Sequence, residues 1–321
     1  MGKEYSEEVV LRVNELFHDL TSEQYQRDVE GEMLQTEGKR WRSVWEEFIS
    51  KLPEYQQGIH LVDIGTGTGF VPLSIVRYLS KNDHLTCSDV SRDILNLAQK
   101  NLAAISTQAS IDFVKLSTEA PFRLPFAETQ FNVVTMNSVL HHLKETSAFL
   151  DEINRILKPG GLLVIGHEPN RKFYENLLLR IAYQTTRMVF TPKEGVRAVL
   201  RKTGMYGLAL KFYYALKGDK KEKADEIAEK INRQLIEEGL IESPLRPEEI
   251  PTITDIRDAE GFDPNFLLPD YELLHLESYN YLRTVDLNRG NNMIVRRLSN
   301  SLAKRYPGEG ATFLGVWRKN V

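Results

Sequence analysis

The 321-residue sequence has one cysteine, Cys87, so it can build neither an internal disulfide nor a thiolate metal cluster. It also lacks an excess of positive charge. Its 41 Lys and Arg stand against 45 Asp and Glu, and a net charge of −4 supplies no overall field toward nucleic acid or anionic lipid. No uncharged run approaches the roughly 20 residues that span a bilayer. The opening MGKEYSEEVV is too acidic and too polar for a secretory leader. H-E-x-x-H is absent, and no spacing of cysteines suggests a bound metal. A soluble protein with a cytoplasmic location is the expectation, and Cys87, in a short alternating run, is expected to be a buried strand residue.

What is present falls into three regions. Residues 1–57 carry apolar side chains at helical spacing: Val9, Val10, Val13, Leu16, Phe17 and Leu20 on one face, and Trp41, Trp45 and Phe48 on another. From His60 to about Gly166, short apolar runs alternate with helical stretches, the pattern of a parallel sheet covered by helices. Strands are expected at IHLVDI, HLTCSD, IDFVKL, FNVVTM and GLLVIG, with helices over about 70–80, 91–106 and 145–157. LKPGG at 157–161 reads as a helix stop and a tight turn. The rhythm is then lost until YELLHLESYNYL and GATFLGVWRK near the end. The stretch between is expected to be a helical insertion, with 13 Lys and Arg against 4 Asp and Glu over residues 171–223. Residues 218–238 read as a highly charged helix with a solvated face.

The most informative segment is LVDIGTGTGF, where Gly65, Gly67 and Gly69 follow an apolar run and Asp63. Such a turn lets backbone touch a ligand, and the helix that follows adds partial positive charge. The dinucleotide fingerprint needs a glycine at position 70, which is Phe70, and no lysine follows Gly69 as a phosphate loop requires. Asp89, ending the second strand, is placed to accept both hydroxyls of an unphosphorylated ribose. A ligand with a ribose, a positive charge and no phosphate fits, and S-adenosylmethionine (SAM) is such a molecule.

VDIGTGTG, Asp89 in CSDVS, LPFAETQFNVV, VLHHL and LKPGG together resemble, in order and spacing, the motifs of class I SAM-dependent methyltransferases, most closely the small-molecule branch. The resemblance implies an α/β fold, a Rossmann-like doubly wound, mostly parallel seven-stranded sheet, with N-terminal helices and a helical insertion between strands five and six. It divides the chain into a lid (1–57), a SAM-binding core (58–169 and 269–321) and a cap forming the acceptor pocket (170–268). It further implies that Gly65, Gly67 and Gly69 approach the cofactor, that Asp63 organises the turn, that Asp89 holds the ribose and that Asn137 lines the cleft. The family's usual Asp at the adenine is missing, and Ser117, Thr118 or Glu119 stand where it would be. Tyr25, with His18, is spaced like a closing lid.

Methyl transfer from a sulfonium needs alignment and dryness more than acid–base help. A base, where one is used, should lie beyond the carboxyl ends of strands four and five. His167 and Glu168 are the leading candidates, and His142 a further one, although the His141–His142 pair also suits a packing turn. Trp41, Trp45 and Phe48 read as core and His275 as a strand residue. No N-P-P-Y-like motif follows the fourth strand, so nucleic-acid amino groups are not expected acceptors. The expected partner is a small organic molecule, amphiphilic or anionic. A catalytically silent SAM-binding protein is the alternative, and an open cavity beside the methyl position distinguishes the two. The oligomeric state is not legible.

Overall fold

The computed structural model describes residues 5–25, 34, 37–119, 122–190, 218–257, 260–282 and 293–321. Its strands are β1 (His60–Ile64), β2 (His84–Asp89), β3 (Ser110–Lys115), β4 (Phe131–Asn137), β5 (Leu157–Pro169), β6 (Tyr271–Tyr279) and β7 (Thr312–Lys319). They form one seven-stranded sheet in the order β3-β2-β1-β4-β5-β7-β6. The first five strands run parallel, and β7 pairs antiparallel to both β5 and β6. Strand order reverses between β1 and β4, so a crevice opens beyond their carboxyl ends, where open α/β sheets bind ligands.

Described helices are α1 (Glu7–Tyr25), α2 (Gly38–Glu47), α3 (Phe70–Ile75), α4 (Arg92–Ala103), α5 (Thr146–Ile156), α6 (Arg171–Glu175), α7 (Leu177–Phe190), α8 (Gly218–Glu237), α9 (Ile250–Thr254) and α10 (Met293–Arg305). Alternation along the strands separates two cores. Leu61, Leu85, Cys87 and Val133 face α2, α3 and α4, whereas Val62, Ile64, Val134 and Met136 face α5. Trp41 and Trp45 are both 1% exposed in the first core, which makes them packing residues; Phe48 packs partly buried beside them. The Phe48 ring lies 5.5 Å from that of His275 in β6.

Local chemistry fixes the element ends. Ser91 caps α4, its Oγ accepting the Ile94 N–H at 3.1 Å, and Ile94, Leu95, Ala98 and Leu102 form the buried stripe. The expected helix over 70–80 is shorter: α3 ends at Ile75 and a tighter turn, Val76–Tyr78, finishes the segment. LKPGG is not a simple turn before β5. Leu157 already pairs with Phe131, and the residues to Gly161 form an irregularity in the ladder, with Gly160 at φ +74°. Asn132, where the family pattern has Asp, accepts the His60 N–H at 3.0 Å and bonds Lys158 Nζ, a structural role.

Between β5 and β6 lie α6 to α9. The charged helix α8 is amphipathic, with a packed face opposite its charged one: Ala228, Ile231 and Leu235 pack with Val9, Val10 and Val13 of α1 and with Ile250 and Ile253 of α9. Arg12 of α1 donates to both carboxylate oxygens of Glu238, at 2.9 and 2.5 Å. The N-terminal helix and the insertion therefore form one small bundle. Much of the basic stretch 171–223 lies outside the described residues. Among the described residues, no helix is long and apolar enough to cross a membrane.

Candidate active site

A cavity of about 700 Å³ opens at the carboxyl end of the sheet. It runs from Gly65 and Gly67 to Tyr174 and Tyr183, under α1 and α9. Gly65, Gly67 and Gly69 have φ of +67°, +58° and +108°, backbone that L residues rarely adopt. Their surroundings differ. A Cβ on Gly65 would stand 2.5 Å from Val139 Cγ2, whereas one on Gly67 would meet nothing within 4 Å, because that position faces the open cavity. Gly69 does not line the cavity. It caps α3, and a Cβ there would touch Leu73 and α4, so its place is in packing.

Asp89 lines the cavity and also builds it. Its Oδ2 accepts the Gly67 N–H at 2.8 Å and its Oδ1 the Ser91 N–H at 2.9 Å, leaving each oxygen a further lone pair. Burial pushes its pKa up to about 6 despite those donors. Asp63 lies beneath the turn, outside the cavity lining. Its carbonyl accepts the hydroxyls of Thr66 and Ser88, and its Oδ1 accepts that of Thr135 at 2.6 Å. Oδ2 is buried without a hydrogen-bond partner, and burial pushes this carboxyl up to about 7. Two buried carboxyls with spare acceptor capacity beside a bare backbone suit a cationic, ribose-bearing ligand, so SAM fits these residues.

Ser117 and Thr118 are not brought to the cavity. The Thr118 hydroxyl donates to buried Glu15 at 3.0 Å, and exposed Ser117 accepts the Glu119 N–H at 3.1 Å, so both serve local structure. Asn137, at the end of β4, does line the cavity, its Oδ1 accepting from Trp41 Nε1 at 3.3 Å. Tyr25 is the last residue of α1, and its side chain lies outside the described ones. Helix α1 instead contributes Leu11, Asn14, Phe17 and His18 to the wall. Asn14 is 5% exposed, and its Oδ1 has no hydrogen-bond partner. The sequence carried a signal for it: a lone amide at a core-facing position of VVLRVNELF. Asp19 fastens the same helix, accepting from Ser91 Oγ at 2.5 Å.

At the end of β5 the sheet bulges. Pairing with β7 slips between Gly166 and Glu168, and His167, the extra residue, sits at φ +55°. Its ring lines the cavity, and its Nδ1 lies 2.8 Å from Glu37 Oε2. Tyr279 donates to the same oxygen at 3.1 Å. Burial would lower the His167 pKa, but the charge and hydrogen bond of Glu37 outweigh it and raise the value above that of an ordinary histidine. Burial would likewise raise Glu37, and His167 beside it holds that carboxyl down. Sequence reasoning missed Glu37, which precedes α2 with no motif around it.

Glu168, the other candidate base, is a correction. It is fully buried, and its carboxylate accepts the N–H groups of Val139, Leu140 and His141 at 2.6, 2.8 and 3.2 Å, as well as His141 Nδ1 at 2.9 Å. It organises the Leu140–His142 turn and does not line the cavity. His142 does line it, with Nδ1 donating to the Thr254 carbonyl at 2.5 Å. Burial and the neighbouring His141 and His18 hold its pKa well below the ordinary value. His18 is pushed down to about 4 by burial and by His141.

Residues 62–165 match a family model described as a methyltransferase domain. A ubiquinone/menaquinone biosynthesis C-methyltransferase, UbiE, from Vibrio parahaemolyticus is 23% identical over 206 residues, covering 62% of this chain and 76% of that protein. Among solved structures, the cyclase SpnF aligns over 89% of this chain and 82% of its own at 16% identity, TM-score 0.45. A SAM-dependent methyltransferase from Aquifex aeolicus aligns over 41% and 73% at 20% identity, TM-score 0.31. With the glycine turn, Asp89 and the seven-stranded sheet in place, the match identifies residues 62–165 as a methyltransferase domain, of the class I SAM-dependent kind that the sheet order and the sequence relatives support.

Proposed function

We propose that this methyltransferase acts on a small amphiphilic acceptor bearing a hydroxylated aromatic ring of the quinol type, methylates a ring carbon, and uses His167 as general base. The observation that carries the reading is the His167 imidazole on the wall of the cavity that the glycine turn also lines, held from behind by Glu37. The UbiE relatives, ubiquinone/menaquinone biosynthesis C-methyltransferases, support the acceptor class. So do Phe173, Tyr174 and Tyr183 at the far end, where a flat ring buries well.

When bound, SAM supplies a methyl group on a sulfonium leaving group. Gly65, Gly67, Asp89 and Asn137 would hold it, with Asp63 under the turn and Gly69 setting the start of α3. The chain's own work is alignment, exclusion of water and movement of a proton. Residues 1–57 serve as a lid, 58–169 and 269–321 as the cofactor core, and 170–268 as the cap that shapes the acceptor site. With Nδ1–H donated to Glu37, His167 offers Nε2 as its basic atom. That atom takes the phenolic proton, which places phenolate electron density on the ring carbon beside the oxygen. The new carbon–carbon bond would form as the sulfonium–methyl bond breaks to leave a neutral thioether; the ring proton at that carbon then passes to water, which restores aromaticity, and the His167 imidazolium returns its proton to the phenolate oxygen. General-base help of this kind is worth about 10²- to 10⁴-fold.

The test is incubation with methyl-labelled SAM and a panel of quinols, simple phenols, thiols and carboxylic acids, with products read by NMR. A ring C-methyl product from a quinol is the expected result. Transfer only to thiols or carboxylates would replace the acceptor class, and tight SAM binding with no transfer to any member would sink the reading.

A further inference from the structure

We propose that His141, His142 and Asp255 form a site for a divalent first-row transition metal on the wall of the acceptor cavity. The three residues come from the turn after β4 and the residue following α9, and all three line the cavity. One ligand-capable atom from each lies within 4.8 Å of the other two. Bonds of about 2.1 Å to a tetrahedral ion set its ligands roughly 3.4 Å apart. Asp255 Oδ1 lies 3.5 Å from His142 Nδ1, and the Asp255 side chain, 47% exposed, has to swing toward the Nε2 atoms to close the set.

A second observation is independent of that proximity. Histidines that hold metals almost always donate their other ring N–H to a carboxylate or a backbone carbonyl, which fixes the tautomer and the ring plane. Both of these histidines have that partner. His141 Nδ1 lies 2.9 Å from the carboxylate of Glu168, itself fully buried and fixed by three backbone N–H groups. His142 Nδ1 lies 2.5 Å from the Thr254 carbonyl. Carboxylate and carbonyl can only accept, so Nδ1 carries the proton in each neutral ring and the lone pair remains on Nε2. The rings are held 4.1 Å apart between centroids. Packing alone does not require two adjacent histidines to be oriented from behind in the same way.

Two imidazoles and one carboxylate are an N/O set that suits Mn²⁺, Fe²⁺, Co²⁺ or Zn²⁺, and three protein ligands leave positions open toward the cavity. An oxygen of the acceptor could occupy one. That last step rests on the reading under Proposed function, but metal binding itself does not.

The experiment adds Co²⁺ to chelator-treated full-length protein and follows its visible absorption, with Zn²⁺ calorimetry in parallel. About one equivalent is expected to bind, with bands of a low-symmetry nitrogen–oxygen site, and His142→Ala and Asp255→Asn should each weaken binding at least tenfold. Asp255 is on the surface, so its variant keeps the test valid should His142→Ala fail to fold. His275→Ala, outside the cavity, should leave the spectrum unchanged. Absence of binding, or a Co²⁺ spectrum retained in a folded His142→Ala or in Asp255→Asn, overturns the proposal. Those outcomes leave methyl transfer to a quinol untouched, and failure of that transfer leaves the metal site untouched.

Discussion

The two walls of the cavity are built by different means. On the side of β1 and β2, ligand-facing groups are backbone or sit one strand away: Gly65 and Gly67 lie in a five-residue turn, and Asp89 clasps the Gly67 N–H. On the side of α1, α2 and α9, polar partners are delivered from far along the chain: the Glu37 carboxylate to His167 and the Thr254 backbone carbonyl to His142. The first wall reads a constant molecule through constant geometry. The second can be re-aimed one side chain at a time.

The comparison is broken most sharply by His167→Ala, expected to lower kcat by about 10²- to 10⁴-fold while SAM affinity by calorimetry stays within about twofold. A comparable loss of affinity would show that the two walls are not separable. Next, Glu168→Ala strips the acceptor from three backbone N–H groups and should cost about 3 kcal/mol of stability, read as a lowered denaturation midpoint. An unchanged midpoint would mean that the turn at Leu140–His142 holds itself. On the opposite wall, Asp89→Ala should weaken SAM binding by about 1–2 kcal/mol, and unaltered calorimetry removes Asp89 from the cofactor site.

Two smaller effects come from pH. Burial raises Asp89 to about 6 and Asp63 to about 7, so each is partly protonated below those values. A cation-bearing cofactor favours the ionised forms. SAM affinity should therefore rise by up to about tenfold as pH climbs from 5 to 6 and Asp89, which alone of the two lines the cavity, ionises. A flat profile would mean that neither carboxyl changes its proton on binding. On the other wall, a general base at His167 would have to be deprotonated, and Glu37 raises its pKa, so kcat should fall with acidity from a point above the ordinary histidine range. Glu37→Gln removes the raising partner and leaves burial, which acts the other way, so the acid limb should move to lower pH. An unmoved limb would assign it to another group.

The same division explains what could be read in advance. The sheet, its order of strands and helices, and the glycine turn are local: alternation, Pro72 in the first turn of α3 and the Ser91 cap act within a few residues. Asp89 and Asn137 are strand ends, and strand ends are visible. Glu37 is not, because nothing in TEGKRW records that it will meet His167. Glu168 looked like a base because it follows β5, but one residue of bulge sends it into the protein and His167 into the cavity. Ser117 and Thr118 were placed by position in the motif order, and their hydroxyls had nearer demands, Glu119 N–H and Glu15. Asn14 was overlooked although an amide on an apolar helical face is a signal.

The irregularity in β5 has a further consequence for how this enzyme can diverge. Residue 167 has no partner in the ladder between Gly166 with Leu314 and Glu168 with Phe313. Its side chain can be exchanged without disturbing a cross-strand pair. Its φ of +55° restricts the exchange to residues that tolerate left-handed backbone, with glycine, asparagine and aspartate the least strained besides histidine. Position 167 is thus a socket in the ladder: a new proton acceptor can be fitted there without loss of a strand pair, provided that it also answers the buried Glu37 carboxylate.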